Sequence, residues 1–256
     1  MLLSRRRRDG LPAAWRDILT TRSAQWALLD EAERTRVGEL ADELLAGKRW
    51  EAARGFEITD EVRTLVSAHA ALLVLEHELG VEHYDGVGTI VVRAGPMRRR
   101  EPVPQWGRVG GIVDGSPWPV DGEAHHGDGP VMIAWNAARR EAANPQLGRD
   151  VVLHEFAHKL DMRDGTIDGT PPIADDTLRQ RWVDVCTAQY DALRRGEPSV
   201  LRPYAGTNPG EFFAVASETF FTRPLLVEAA APDLYGVLAA YYRQHPAERV
   251  RRAMAG

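Results

Sequence analysis

The feature that most constrains this chain is a pair of histidines with helical spacing. His154 and His158 stand four residues apart, and Glu155 directly follows the first. On an α-helix, residues four apart lie on one face about one turn apart, so both imidazoles can reach a single ion. Glu155 would stand beside that ion, where its carboxylate can take a proton from a water molecule that the metal activates. The pattern predicts a zinc hydrolase, and among these a peptidase.

A surface helix that carries His, Glu and His by chance is the alternative interpretation. The other residues of the segment are mostly apolar and predict a buried helix: Val151, Val152, Leu153, Phe156, Ala157 and Leu160. A buried polar group without a partner costs roughly 2–7 kcal/mol. One metal ion would satisfy all three polar side chains together, so the context favours one zinc ion per chain.

Composition and charge exclude several other classes of protein. The 256 residues are 44% hydrophobic and 27% charged, as in ordinary soluble globular proteins. A net charge of −5 gives no general attraction to nucleic acid or to an anionic membrane. The lone cysteine, Cys186, cannot form an internal disulfide, and no apolar run approaches the ~18 residues of a membrane span. We therefore expect a cytoplasmic protein that binds neither nucleic acid nor membrane directly.

The segment before the motif predicts helices. The arginine run at 5–8 is followed by Asp-Gly-Leu-Pro, so we expect a solvated tail and not a signal peptide. Helical periodicity then extends from 12 to 45 with a break near 20–23, and Thr59 is a predicted N-cap of a further helix. His69 lies on the apolar face of that helix and is expected to be a core residue.

Strands are predicted next, which makes the fold class α+β: mainly helical, with a small β-sheet beside the motif helix. The predicted strands are 87–92, 108–113 and 130–135. The stretch 114–129 is rich in Gly, Pro and Asp and predicts a loop, in which His125 and His126 are expected to be surface residues. Segment 130–135 is either an ordinary buried strand or an edge strand that binds an extended substrate by strand addition.

The remainder of the chain is predicted to be helical apart from a loop over the site. The predicted segments are a short helix at 136–143, the motif helix at 148–162, the loop at 163–172, and helices at 175–195, 208–224 and 233–244, the last of which closes the chain. Asn208 as N-cap and Pro209 at the first helical position make a strong helix start. We expect a single domain over 1–256, in which a helical part (about 12–80) packs on a catalytic core (about 84–246).

A catalytic zinc ion needs a third protein ligand and one open position. Three acids compete for this role. Asp168 lies in a Gly-Thr-Ile-Asp segment that is similar to the ligand segment of aspzincin peptidases, but the Tyr-Gly that completes it is missing. Glu218 lies in mid-helix and could reach inward. Glu211 is preferred, although its position three residues after Asn208 also fits a capping box.

Two blocks of sequence carry a family resemblance, namely His154–Asp161 and the segment from Tyr204 through Asn208–Ala214. Together they resemble the Mlc titration factor A family of bacterial zinc metallopeptidases, over about residues 84–222. They are also similar to the catalytic domain of anthrax lethal factor. That domain has a second acid four residues after its ligand glutamate, where this chain has Val215.

The resemblance implies a zincin-like fold and a set of roles. His154, His158 and Glu211 would be the zinc ligands, Glu155 the catalytic base, and Tyr204 a hydroxyl near the metal that can stabilise the oxyanion. It further implies a transcriptional repressor of sugar uptake as a partner, besides a peptide or protein substrate. Endopeptidase and aminopeptidase action both stay open.

Two questions follow from these roles. Ligand histidines usually donate their other N–H to a carboxylate or a carbonyl, and both Asp161 and Glu218 are candidates for that acceptor. The rival function is a non-catalytic protein that sequesters a partner and keeps a vestigial or structural zinc site. A structural site would have four protein ligands and no open position.

Overall fold

A computed structural model describes residues 11–53, 55–95, 122–124 and 129–256, and of 122–124 it describes the backbone alone. The helices are α1 (Ala13–Arg22), α2 (Ala24–Leu28), α3 (Glu31–Gly47), α4 (Asp60–Leu73), α5 (Trp135–Ala142), α6 (Val151–Asp161), α7 (Asp176–Arg194), α8 (Pro209–Thr222), α9 (Pro224–Ala230), α10 (Pro232–Tyr242) and α11 (Pro246–Ala255). The strands are β1 (Arg49–Ala52), β2 (Thr89–Arg93), β3 (Gly122–Ala124) and β4 (Val131–Ala134). The predicted α+β class, mainly helical with a small sheet, is confirmed.

The four strands form one sheet in the order β1-β2-β4-β3. β1, β2 and β4 run parallel, and β3 pairs antiparallel with β4. Alternate residues of the two inner strands, Ile90 and Val92 of β2 and Val131 and Ile133 of β4, are completely buried. Because alternate side chains of a strand point to one face, the sheet presents an apolar face to the helices, and α6 packs beside β4 and β3.

The two outer strands were not predicted. β1 carries exposed charged side chains at Arg49 and Glu51, so it lacks the apolar alternation by which a strand is recognised. β3 lies inside the segment predicted as a loop, 114–129, and that part of the prediction is wrong. β4 is consequently paired on both sides, so the prediction of an edge strand at 130–135 is wrong, and its alternative, a buried strand, is correct.

The end of the chain holds more helices than predicted. α9, α10 and α11 each begin at a proline, at Pro224, Pro232 and Pro246. Proline lacks the N–H that a first helical residue leaves unbonded anyway, so it can begin one helix directly after ending another. The prediction that a helix at 233–244 closes the chain is therefore wrong.

Three predicted features lie outside the described residues: the strand 108–113, the pair His125 and His126, and the arginine run.

The motif helix α6 is buried along its whole length, as its apolar sequence predicts. It lies between α4, α8 and the sheet. It begins three residues later than predicted, because Gly148 adopts a left-handed conformation (φ 64°) and Asp150 is the N-cap. The Asp150 carboxylate accepts hydrogen bonds from the backbone N–H groups of Val152 and Leu153, each at 3.1 Å. This capping fixes the end of α6 that precedes the histidines.

A second buried acid, Glu141, contacts the same helix end. Its carboxylate accepts a hydrogen bond from the Val151 N–H at 3.0 Å. Burial, followed by the charge of Asp150, raises the pKa of Glu141 from 4.5 to about 7. A carboxyl whose pKa is higher in the folded state stabilises the fold below its unfolded pKa, and that contribution is lost as pH rises through the folded pKa.

We therefore expect Glu141→Gln to flatten the loss of stability between about pH 4.5 and pH 7. At pH 8 the variant should equal or exceed the wild type, by up to ~3 kcal/mol at one pKa unit per 1.36 kcal/mol. Urea unfolding at pH 5, 6, 7 and 8 measures this, with the more exposed Glu61→Gln as the control. An unchanged slope in Glu141→Gln would show that Glu141 stays ionised in the fold.

Candidate metal centre

Three predicted ligand residues converge at the interface of α6 and α8. His154 and His158 lie on one face of α6, and their Nε2 atoms are 3.2 Å apart. Glu211 enters from the first turn of α8, and its Oε2 atom lies 3.1 Å from Nε2 of His154 and 3.5 Å from Nε2 of His158. Among the residues that the structure describes, these three form a group that could hold a metal ion.

Glu211 is held in place by the cap of its own helix. Asn208 is the N-cap, Pro209 follows at the first helical position, and the Asn208 side chain accepts a hydrogen bond from the Glu211 N–H at 2.9 Å. A capping box consists of two reciprocal hydrogen bonds. The one present here runs from the Glu211 N–H to the Asn208 side chain. The carboxylate of Glu211, however, faces the two imidazoles, and its side chain is 18% exposed.

The arrangement of the three atoms fits a zinc ion. A circle through the two Nε2 atoms and Oε2 has a radius of about 1.9 Å. An ion near the centre of that circle would therefore lie close to the ~2.0–2.2 Å at which zinc binds nitrogen and oxygen ligands. Oε2 of Glu211 is buried and has no hydrogen bond of ordinary geometry from a described residue. A buried carboxylate oxygen in that condition is costly unless a cation accompanies it.

Electrostatics at the centre favours positive charge at His154, whereas burial lowers the pKa of His158. Burial raises the pKa of Glu211, but its interactions with His154 and His158 outweigh burial and hold that pKa well below its usual range. Burial lowers the pKa of His154, yet Glu218, Glu211 and Glu155 together overcome this and raise it to about 10. The acids that stabilise a proton at His154 would equally stabilise a divalent cation in its place.

Glu155 and Tyr204 complete the group of residues predicted for the site. Glu155 is buried in α6 and lies close enough for its charge to act on both His154 and Tyr204. Tyr204 lies in a short 3₁₀ turn, Pro203–Gly206, with its ring centroid 6.3 Å from that of His154 and with 45% of the residue exposed. Burial, the charge of Glu211 and a hydrogen bond with Glu211 raise the pKa of the Tyr204 hydroxyl. Its hydroxyl is therefore at the centre while part of the ring faces solvent.

Comparison with known proteins decides the family. The model of the glucose-regulated metallo-peptidase M90 family matches residues 2–243. The chain belongs to the M90 metallopeptidase family. The match extends beyond the predicted resemblance at 84–222 and covers the N-terminal helices as well.

Relatives of this M90 member agree with that assignment. The Mlc titration factor A of Serratia proteamaculans is 31% identical over 252 residues, which is 95% of this chain and 91% of the relative. That of Pectobacterium atrosepticum is 31% identical over 234 residues, 88% of this chain and 84% of the relative. An uncharacterized protein of Synechocystis sp. is 33% identical over 240 residues, 92% of this chain and 86% of the relative. The predicted resemblance to the Mlc titration factor A family is confirmed.

The other acids considered as ligands take different positions in this M90 chain. Asp168 is exposed, and its carboxylate accepts a hydrogen bond from the Thr170 N–H at 2.9 Å, which places it in a turn outside the centre. Glu218 approaches the far side of the first histidine, where its Oε2 lies 3.4 Å from Nδ1 of His154. Val215 is completely buried and apolar.

Asp161 and Glu218, the two candidates for orienting an imidazole, are thereby distinguished. Asp161 is completely buried and accepts a hydrogen bond from the Gly169 N–H at 3.1 Å, so its carboxylate fastens the loop that follows α6. Burial raises its pKa to about 7. Glu218 is the one that lies beside a predicted ligand ring.

Sequence reasoning missed a buried network behind the centre. The Asp150 N–H donates to Glu218 at 3.2 Å, and the Asp150 carboxylate lies 2.6 Å from Nδ1 of His69. Nε2 of His69 lies 2.8 Å from the hydroxyl of Ser23. Ser23, His69 and Asp150 have the order of a hydrolase triad, but all three are buried and Ser23 also caps α2 through the Trp26 N–H. The prediction that His69 is a core residue is confirmed.

One residue of this network could have been found from the sequence. An aspartate directly before the apolar start of a helix, as Asp150 is, is an N-cap signal. Arg202, which donates to Glu218 at 2.6 Å, carries no such signal, because its partner is sixteen residues away in another element.

Among the described helices, none is long and apolar enough to cross a membrane.

Proposed function

We propose that this M90 member is a zinc-dependent peptidase, with His154, His158 and Glu211 as zinc ligands and Glu155 as general base. The observation that carries the proposal is the convergence of two imidazole nitrogens and one carboxylate oxygen within 3.5 Å of one another. Three protein ligands are the number found in catalytic zinc sites, which keep a fourth position open, whereas structural sites use four. This favours catalysis over a vestigial or structural role.

The zinc ion, Glu155 and Tyr204 would each have a separate role in peptide hydrolysis. When bound, zinc acts as a Lewis acid that lowers the pKa of water and polarises a carbonyl group. Glu155 takes the proton of the attacking water and later passes it to the leaving amine. The Tyr204 hydroxyl donates a hydrogen bond to the oxygen of the scissile carbonyl as negative charge develops there.

For Tyr204→Phe we expect kcat to fall by about 10²- to 10³-fold, because removing one donor to an oxyanion typically has that effect. Zinc affinity should stay within about twofold, since the hydroxyl is not proposed as a ligand. Peptide cleavage and zinc titration of the same preparation measure both, with Tyr190→Phe on α7 as the control. A Tyr204→Phe enzyme with the wild-type rate would make Tyr204 a packing residue.

The relatives support a second proposed function. Two of them are named Mlc titration factor A. From that name we propose that this chain also binds a transcriptional repressor, namely Mlc or a repressor similar to it. A pull-down with the Mlc protein, using the Glu155→Gln variant, separates binding from chemistry. Retention of Mlc supports the proposal, and its absence under conditions where a relative retains it would contradict it.

A further inference from the structure

We propose that Arg202 is a positioning residue for the metal centre, holding the Glu218 carboxylate against His154 and the Tyr204 ring over the site. The inference rests on the proposed function, since it concerns the orientation of a proposed zinc ligand and a proposed oxyanion donor. It adds a residue outside both sequence blocks that carry the family resemblance. Arg202 contacts neither His154 nor the position of the ion, and acts through its two neighbours.

The first contact is with Glu218, whose side chain is 3% exposed. Its Oε2 atom accepts a hydrogen bond from Nη2 of Arg202 at 2.6 Å and lies 3.4 Å from Nδ1 of His154. Its Oε1 atom accepts from the Asp150 N–H at 3.2 Å. Arg202 and the imidazole thus share one oxygen atom, while the backbone of the α6 cap fixes the other. A carboxylate fixed at both oxygens has one orientation, and this orientation faces His154.

The second contact is with Tyr204. The guanidinium carbon of Arg202 lies 5.1 Å from the centroid of the Tyr204 ring. A guanidinium within ~6 Å of an aromatic ring attracts its face. The Arg202 side chain is 25% exposed, so it covers one side of the ring while its Nη2 reaches the buried carboxylate. A single cation therefore joins the residue beside the first histidine to the tyrosine turn.

His154 is the histidine that this arrangement can orient. Orientation of a ligand imidazole by a carboxylate on its other nitrogen is common in zinc sites, and loss of that partner typically costs about 10- to 100-fold in metal affinity or activity. Among the described residues, neither Nδ1 of His154 nor Nδ1 of His158 has a hydrogen bond of ordinary geometry. His154 differs in that the Glu218 carboxylate lies 3.4 Å from its Nδ1 atom. Loss of the Glu218 contact would therefore leave both imidazoles without an orienting carboxylate.

The test measures zinc affinity of the full chain by competition with a chromophoric chelator at one pH. We expect Arg202→Gln to weaken zinc binding by about fivefold, less than the ~10-fold expected for loss of Glu218 itself, since Glu218 keeps its backbone donor. Arg202→Lys should stay within about threefold, because an ammonium can still reach one carboxylate oxygen. The double variant Arg202→Gln/Glu218→Gln should bind zinc no more weakly than Glu218→Gln alone.

Arg249→Gln is the matched control. It breaks another largely buried arginine–glutamate pair, with Glu33 at 2.8 Å, in which neither residue contacts the centre in the structure. Circular dichroism of every variant establishes folding, and Arg202→Met, which also removes the charge, takes the place of Arg202→Gln if that variant fails to fold. An affinity within twofold of wild type for Arg202→Gln, beside a weakened Glu218→Gln, would overturn the inference. Additive losses in the double variant would also overturn it.

The tyrosine contact has its own readout. With zinc saturating, Arg202→Gln should lower kcat for peptide cleavage by about 10-fold in the wild-type background and leave it unchanged in the Tyr204→Phe background. An equal loss in both backgrounds would overturn the role toward Tyr204. A wild-type protein that binds no zinc would overturn the proposed function itself, whereas normal zinc binding in Arg202→Gln would overturn this inference alone.

Discussion

Glu155→Gln is expected to abolish peptide hydrolysis while zinc stays bound. The substitution preserves shape in a helix whose residues are all buried, but an amide cannot take a proton from water at neutral pH. General-base catalysis typically contributes about 10²- to 10⁴-fold, so kcat should fall by at least the lower figure. The three proposed ligands are unchanged, and zinc affinity should therefore stay within about threefold of wild type.

Metal analysis and cleavage of a peptide library by the same protein preparation measure both quantities. Glu61→Gln is the control for the chemical change, because Glu61 pairs with arginines at the surface. Hydrolysis at the wild-type rate by zinc-loaded Glu155→Gln would remove Glu155 from the mechanism. Loss of zinc together with activity would instead mean that Glu155 acts on the ion itself.

Glu211→Ala is expected to weaken zinc binding more than either Glu218→Ala or Asp168→Ala. Structural zinc in zinc-finger peptides binds with an apparent ~10–16 kcal/mol shared among four ligands, so one ligand is worth about 3 kcal/mol, or on the order of 10²-fold. Glu218 lies beside His154 without facing the centre, and its loss should cost about 10-fold. Asp168 is exposed in a turn, and its loss should change nothing.

Zinc titration of the three alanine variants ranks these effects at one pH and ionic strength. Asn208→Ala is a useful companion, because it removes the cap that holds the Glu211 backbone and leaves the carboxylate in place. It should lower stability by about 1 kcal/mol and weaken zinc less than Glu211→Ala. A larger loss in Glu218→Ala or Asp168→Ala than in Glu211→Ala would reassign the third ligand.

The parts of the site that could be predicted are those with a local signal. The i, i+4 spacing of His154 and His158, together with the apolar residues around them, predicts a buried helix from one segment alone. The Asn208-Pro209 pair likewise predicts the start of α8 and places Glu211 in its first turn. The choice of Glu211 over two other acids required the family resemblance, because spacing alone also fits a capping box.

The parts that escaped prediction depend on contacts between distant segments. β1 and β3 lack apolar alternation and exist because they pair with β2 and β4. Arg202 directly precedes the 3₁₀ turn Pro203–Gly206, and its partner Glu218 lies in α8, sixteen residues further along the chain. Two of the terminal helices, α9 and α11, escaped prediction for a different reason: a proline ends the helical pattern before it and also begins the next helix.

X-ray diffraction at the zinc absorption edge, from crystals grown with one equivalent of zinc, tests the central claim most directly. We predict one anomalous peak per chain, within about 2.0–2.2 Å of Nε2 of His154, Nε2 of His158 and Oε2 of Glu211, with no fourth protein ligand. A peak elsewhere, or a fourth protein side chain on the ion, would contradict the assignment of a catalytic zinc centre to these residues.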